Sequence, residues 1–218
     1  MDILITGTSD GIGRATAEYF LERGHSVVGF DRKPPALAHP NYRHVILDIC
    51  DADAYPEDVQ PEILINNAGV QDSGRDIEIN LMGTIRITEK YAIANPRIRA
   101  VVMVGSASAH TGSEFPEYAA SKGGLLTYTK NAALRLAPRA VCNSIDPGGV
   151  LTDLNRPVME DPELWNQIMA LTPLRRWATP EEIAEWIYFV GVRNRFMTGQ
   201  NLLIDGGEAG DAHFVWKD

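Results

Sequence analysis

Thr6-Gly7-Thr8-Ser9-Asp10-Gly11-Ile12-Gly13, directly after the apolar run Asp2-Ile3-Leu4-Ile5, decides the fold. The run before it reads as a strand and the stretch after it, Gly13–Arg23, as a helix. Glycines at the join lack Cβ, so they permit a tight turn and a close approach of backbone to a pyrophosphate at a helix N-terminus. Their spacing, G-x-x-x-G-x-G, differs from the common dinucleotide fingerprint and is compatible on its own with a plain turn. Asp31 tips the reading. It ends the second strand-like run, 18 residues after Gly13, where an acidic side chain accepts hydrogen bonds from an adenosine ribose. The same carboxylate repels a 2′-phosphate, so NAD is expected over NADP. Asp10 leans the same way, while Arg32 and Lys33 are read as solvated cations.

Outward from this unit, short apolar runs alternate with amphipathic stretches. Strands are expected at Ile3–Ile5, Ser26–Phe30, His44–Leu47, Ile63–Asn66, Val101–Val104, Val141–Ile145 and Asn201–Ile204. Helices are expected at Gly13–Arg23, Ile77–Ala94, Glu117–Leu136 and Pro180–Val190. Such alternation implies parallel pairing with right-handed crossovers. The predicted fold is therefore α/β, a Rossmann-type doubly wound parallel sheet in a single domain over residues 1–218. The segment 151–179 is the least regular, with Pro157, Pro162, Pro173 and a short helix around Glu163–Leu171. Leu164, Trp165, Ile168, Met169 and Leu171 give it an apolar face that either packs on the core or folds over a substrate. The lid is the expectation, because the segment follows Pro147-Gly148-Gly149 at a strand's carboxyl end, where open parallel sheets bind ligands.

Tyr118-Ala-Ala-Ser-Lys122 carries the chemistry. Four residues apart on a helix, the two polar side chains share a face. There an ammonium favours the phenolate and pulls the tyrosine down from about 10 toward working pH. The spacing alone is weak. Combined, in order, with the glycine turn and with Asn66-Asn67-Ala68-Gly69, it is specific.

Together these residues resemble the short-chain dehydrogenase/reductase family, in its compact single-domain branch. The likeness covers nearly the whole chain, through Thr6–Gly13, Asp48, Asn66–Gly69, Asn80, Tyr118–Lys122, Pro147-Gly148, Met197-Thr198-Gly199-Gln200 and Asp205-Gly206-Gly207. Gly24–Asp31 and Ala107-Ser108-Ala109-His110 are similar to bacterial hydroxysteroid dehydrogenase/carbonyl reductases. The resemblance implies Tyr118 as the acid/base and Lys122 as the group that lowers its pKa and binds the nicotinamide ribose. It implies Asn80 at a helix kink that holds a water linking Lys122 to solvent. Cofactor contacts carried over are Gly7, Ser9, Gly11, Ile12, Gly13, Asp31, Asp48, Ile49, Asn67, Ala68, Gly69, Tyr118, Lys122, Pro147, Gly148, Val150 and Thr152. The family expects a serine about 13 residues before the tyrosine, and position 105 is glycine. Ser106 is taken as the active-site serine, with Ser108 the alternative. His110 is read as a structural or solvated histidine, with the substrate pocket as the alternative. Segments Asp48–Asn66 and Asn67–Asn80 are short for the family, which is expected to open the adenine side or to loosen cofactor binding.

The remaining bounds are broad. With 218 residues, 44% hydrophobic and 22% charged, the chain suits one soluble globular domain. A net charge of −9 argues against nucleic acid. No apolar run suits a membrane span, the N-terminus lacks a signal-peptide pattern, and the two cysteines read as reduced and incidental. A cytoplasmic enzyme follows, without a metal, acting on a small-molecule alcohol or ketone. Phe115, Leu154, Trp165 and Met169 are candidates for an apolar pocket. The paired long helices, with Leu125, Leu126, Tyr128, Thr129, Ala132 and Ala133, suggest a homodimer or homotetramer. Competing classes are a nonenzymatic cofactor sensor, which has no need of Tyr118 and Lys122, and an epimerase or dehydratase, which usually needs a larger C-terminal region.

Overall fold

The computed structural model describes residues 1–113 and 115–210, so the last eight positions of the predicted domain lie outside the described residues. Seven strands form one wholly parallel sheet: β1 Asp2–Thr6, β2 Ser26–Asp31, β3 Tyr42–Ile46, β4 Ile63–Asn66, β5 Ala100–Val104, β6 Val141–Pro147 and β7 Asn201–Ile204. Their order is β3-β2-β1-β4-β5-β6-β7, and it reverses between β1 and β4. That reversal opens a crevice at the carboxyl ends of the strands.

The central strands are apolar on both faces because helices cover both. Leu4, Leu64, Met103 and Cys142 point into one core, and Ile3, Ile5, Ile63, Ile65 and Ile145 into the other. Period-two alternation sends neighbours in a strand to opposite layers. The first layer is built by α2 (Thr84–Thr88), with its flanking turns, and by α4 (Pro116–Leu136). The second is built by α1 (Gly11–Glu22) and α7 (Pro180–Tyr188). A short helix, α3 (Ser108–Thr111), follows β5, and α5 (Arg156–Met159) and α6 (Pro162–Leu171) follow β6. Proline opens α4, α6 and α7 at the first turn, where its missing N–H costs nothing. Asp161 caps α6, and Thr179 with Glu182 forms a reciprocal capping box on α7.

Three features depart from the expectation. The third strand begins at Tyr42, not His44, because its register is set by backbone pairing of Val27 with Tyr42 through Asp31 with Ile46. Helix Ile77–Ala94 is not uniformly α: Ile77–Gly83 and Glu89–Ile93 are π-helical on either side of α2. The connection from β3 to β4 holds only a single 3₁₀ turn, Ala52–Ala54, in keeping with its short sequence. The residues expected to offer apolar surface on α4 are mostly spent inside the chain. Leu125, Thr129, Ala132 and Ala133 are buried in the fold itself, while Leu126 and Tyr128 are partly covered.

Candidate active site

Two loops meet at the switch point. Gly7 adopts φ +76°, and a Cβ on Gly13 would stand 1.9 Å from the Gly7 carbonyl oxygen, so the turn closes tightly only with glycine there. Thr6 Oγ1 accepts from the N–H groups of Asn67 and Ala68, both at 3.0 Å. Asn67 Nδ2 in turn donates to the carbonyls of Thr6 (3.0 Å) and Gly7 (3.1 Å). The Asn67–Gly69 loop is thereby sewn to the glycine turn. Thr152 reaches the same turn from the other side, its Cγ2 lying 3.3 Å from where a Cβ on Gly11 would be.

Asp31 ends β2 beside this turn. Its Oδ2 accepts from Ser9 N at 2.9 Å and its Oδ1 from Lys33 N at 2.8 Å. Ser9 Oγ also donates to the Pro34 carbonyl at 3.0 Å, tying the turn to the loop after β2. Asp10 precedes α1 without capping it by its side chain, and instead pairs with Lys33 Nζ. Arg32 lies 3.9 Å from Asp48. Both cations after Asp31 are thus engaged by carboxylates. Asp48 also holds Cys50 N, at 2.9 Å. Ile49 turns its side chain into the core against Gly83, and its carbonyl accepts from Tyr55 Oη at 2.5 Å. Ile12 packs on the α1 side of the sheet.

A second group of residues lies under the other half of the crevice. Tyr118 and Lys122 are one turn apart on α4, with the ammonium 5.7 Å from the phenol ring centre. Lys122 is buried and donates to the Val104 carbonyl at 3.0 Å. Burial pulls it down to about 8, opposed by the negative charges of Asp146 and Asp76. Asn80 sits in the π-helical turn, fully buried. It accepts from Val70 N (2.8 Å), donates to Val70 O (2.9 Å) and donates to Ser121 Oγ (3.0 Å). Ser121 neighbours Lys122, so Asn80 clamps the loop after Gly69 to α4. A Cβ on Gly69 would lie 3.2 Å from Asn80 Oδ1 and 3.5 Å from Lys122 Nζ.

Ser106 and Ser108 are both buried at the end of β5, and Ser106 Oγ accepts from Ser108 N at 3.2 Å. Ala107 N donates to the Pro147 carbonyl at 2.8 Å, and Gly148 N to Ile204 O at 3.0 Å, aligning the segments after β5 and β6. Val150 is buried and forms an isolated parallel bridge with Ala178. Of the apolar pocket candidates, Trp165 stacks edge-to-face on Trp177 at 5.0 Å, whereas Leu154 (58%) and Phe115 (37%) are exposed.

Sequence reasoning missed Asp146. It is fully buried, and Oδ2 lies 2.7 Å from Nε2 of His110. The sequence signal was present in Gly105, noted only as a departure from a family pattern. A Cβ there would stand 2.0 Å from Asp146 Oδ1.

A glycine-bound turn at a helix N-terminus, an acidic side chain at the end of β2 and a buried lysine beside a tyrosine thus line one crevice. A family profile described as enoyl-(acyl carrier protein) reductase matches residues 60–208. The chain belongs to the short-chain dehydrogenase/reductase family and is an oxidoreductase. Among its relatives, the 3-oxoacyl-[acyl-carrier-protein] reductase of Salmonella typhimurium is 29% identical, over 94% of this chain and 95% of its own length. The glucose 1-dehydrogenase of Gluconobacter oxydans is 28% identical over 94% and 90%. Among solved structures, a 4-hydroxyisoleucine dehydrogenase complexed with NADH superposes with a TM-score of 0.89, at 27% identity over 97% of this chain and 99% of that one. The ligand-free aldohexose dehydrogenase of Thermoplasma acidophilum gives 0.86, at 28% identity over 100% and 97%. Among the described residues no helix is long and apolar enough to cross a membrane.

Proposed function

We propose that this chain is an NAD-dependent dehydrogenase/reductase that transfers a hydride between the nicotinamide and an alcohol or ketone, with Tyr118 as acid/base. The observation that carries the proposal is the buried Lys122 beside Tyr118, its ammonium drawn down to about 8 by burial. Bound in the crevice, the nicotinamide supplies hydride chemistry. The residues that would hold the dinucleotide are the glycine turn (Gly7, Ser9, Gly11, Ile12, Gly13), Asp31, Asp48, Ile49, the loop Asn67–Gly69 and the rim Pro147, Gly148, Val150 and Thr152. Lys122 favours the Tyr118 phenolate electrostatically, and the protonated phenol gives its proton to a carbonyl oxygen in the reverse direction. Ser106 positions that oxygen, and Asn80 holds the loop and helix that frame Lys122.

NAD is favoured over NADP for an electrostatic reason. A 2′-phosphate would meet the Asp31 carboxylate, and Lys33 and Arg32 are already paired with Asp10 and Asp48. A homodimer or homotetramer is part of the same reading, supported by exposed Trp186 (44%) and Phe189 (50%) near the end of α7.

The test is steady-state kinetics over a panel of carbinols and ketones with both cofactors. Tyr118→Phe lowers turnover at least about a hundredfold while NADH still binds, and Ser106→Ala costs far more than Ser108→Ala. Near-normal turnover in Tyr118→Phe refutes the assignment. Asp31→Ala collapses an NAD preference of about a hundredfold toward parity; a wild-type preference for NADP refutes that placement.

A further inference from the structure

We propose that Tyr42, on the edge strand β3, is a positioning residue for the adenosine ribose: through Thr8 and His44 it holds the two backbone amides that aim the Asp31 carboxylate. The inference rests on the NAD reading of the crevice and adds a residue that decides how sharply the ribose is recognised.

The strand order puts β2 between β1 and β3. Thr8, in the glycine turn after β1, nevertheless meets Tyr42, with 2.8 Å between Thr8 Oγ1 and Tyr42 Oη. Gly29 on β2 makes the crossing possible. A Cβ there would stand 2.3 Å from each of the two hydroxyl oxygens. His44 follows Tyr42 by two residues, so both side chains rise from one face of the strand. Tyr42 Oη lies 2.9 Å from His44 Nδ1, and His44 Nε2 lies 3.0 Å from the Lys33 carbonyl oxygen. A carbonyl only accepts, so Nε2 is the donor in that bond. The phenol has one proton and two partners; it gives to one and takes from the other. Thr8 is fully buried and the Tyr42 ring packs against the α1 side of the core. Burial pushes the phenol up, away from ionisation.

The bridge ends on both segments that hold Asp31. Ser9, next to Thr8, donates its N–H to Asp31 Oδ2 at 2.9 Å. Lys33, whose carbonyl His44 grips, donates its N–H to Oδ1 at 2.8 Å. These two amides fix the plane of the carboxylate. A carboxylate has about four acceptor positions, so each oxygen keeps one for a ribose hydroxyl. Ser9 Oγ also ties the turn to the loop, through the Pro34 carbonyl at 3.0 Å. That bond joins the two segments only to each other. Tyr42 and His44 join both to a strand paired with β2 from Tyr42 through Ile46. Hydrogen bonds weaken steeply with misalignment, and an acceptor fixed beforehand spares the cost of ordering it on binding.

The test measures binding of NADH, NADPH and ADP-ribose to the purified chain, by NADH fluorescence and by displacement. Tyr42→Phe keeps the ring and removes the bridge. It is expected to raise the Kd of NADH and of ADP-ribose about five- to tenfold. NADPH is expected to weaken less, because it lacks the 2′-hydroxyl, so the preference for NADH narrows. Gly29→Ala drives a methyl group into the bridge without altering either hydroxyl and is expected to act in the same way. A packing role alone would weaken NADH and NADPH equally and lower the thermal midpoint. Equal weakening, or wild-type affinity for ADP-ribose in either folded variant, overturns the proposal and leaves the NAD reading standing. A wild type that binds neither NADH nor ADP-ribose, or that binds NADPH more tightly than NADH, overturns both.

Discussion

The floor of the crevice and the segment 151–179 that follows β6 are built in opposite ways. On the floor Asn80, Ser121, Lys122, Ser106 and Asp146 are all buried, and each polar side chain is tied to a named partner. In the segment after β6 neither α5 nor α6 has a buried residue. Three of its leucines stand in solvent: Leu154 58%, Leu171 60% and Leu174 63% exposed. It is fixed mainly at its base, where Leu151 N donates to Ala178 O (2.9 Å) and Ala178 N to Gly149 O (3.1 Å). On the proposed function, the contrast separates two tasks. Groups that move protons need a fixed geometry and a dry setting, whereas a cover that admits a substrate is drawn from the less stable end of the fold.

The sharpest way to break this contrast is to remove the charge from the floor. Lys122 is held near 8 in the folded chain against 10.5 ordinarily, so the unfolded chain binds the extra proton between those values. Stability from this group is therefore lowest below about pH 8 and rises as pH climbs toward 10.5. Lys122→Met has no such dependence. Its stability advantage over wild type is expected to shrink by about 3 kcal/mol between pH 7 and pH 11, in paired denaturant titrations. A difference that stays flat with pH means the floor is wetter than its burial implies.

Overpacking the floor comes next. Gly105→Ala puts a methyl group 2.0 Å from Asp146 Oδ1, and the carboxylate has to move. A loss of about 1–3 kcal/mol is expected, seen as a lower thermal midpoint. Adding Asp146→Ala should recover much of it, since the two changes share one volume. Strict additivity would sever the link between Gly105 and Asp146.

The smallest effect belongs to the cover. Leu164→Ser with Leu171→Ser is expected to change stability by no more than about 0.5 kcal/mol, because neither side chain is buried. The same pair should raise KM for apolar substrates severalfold if the segment closes over them. A clear fall in thermal midpoint would make α6 an ordinary packing helix.

The sheet was legible because apolar runs and glycine turns are local signals. Tyr42 is followed by the charged Arg43, which breaks the apolar run, so the start of β3 could be seen only through its pairing with β2. In the site, Tyr118 and Lys122 were readable because four residues along a helix fix their geometry in advance. Asp146 was not, since its partner His110 lies 36 positions away and meets it only when β5 and β6 pair. Leu125, Ala132 and Ala133 taught the reverse lesson: an apolar helical face does not reveal whether its own chain or a second copy covers it.

The π-helical turn at Ile77–Gly83 sets the direction in which Asn80 points. Such a turn spends one more residue per hydrogen-bonded loop than an α-turn, and each residue of helix rotates the side-chain direction by about 100°. Deleting a single residue upstream of Asn80 would restore a regular helix and swing the asparagine away from Val70 and Ser121. The phase of this site thus rests on the one extra residue that the π-turn holds.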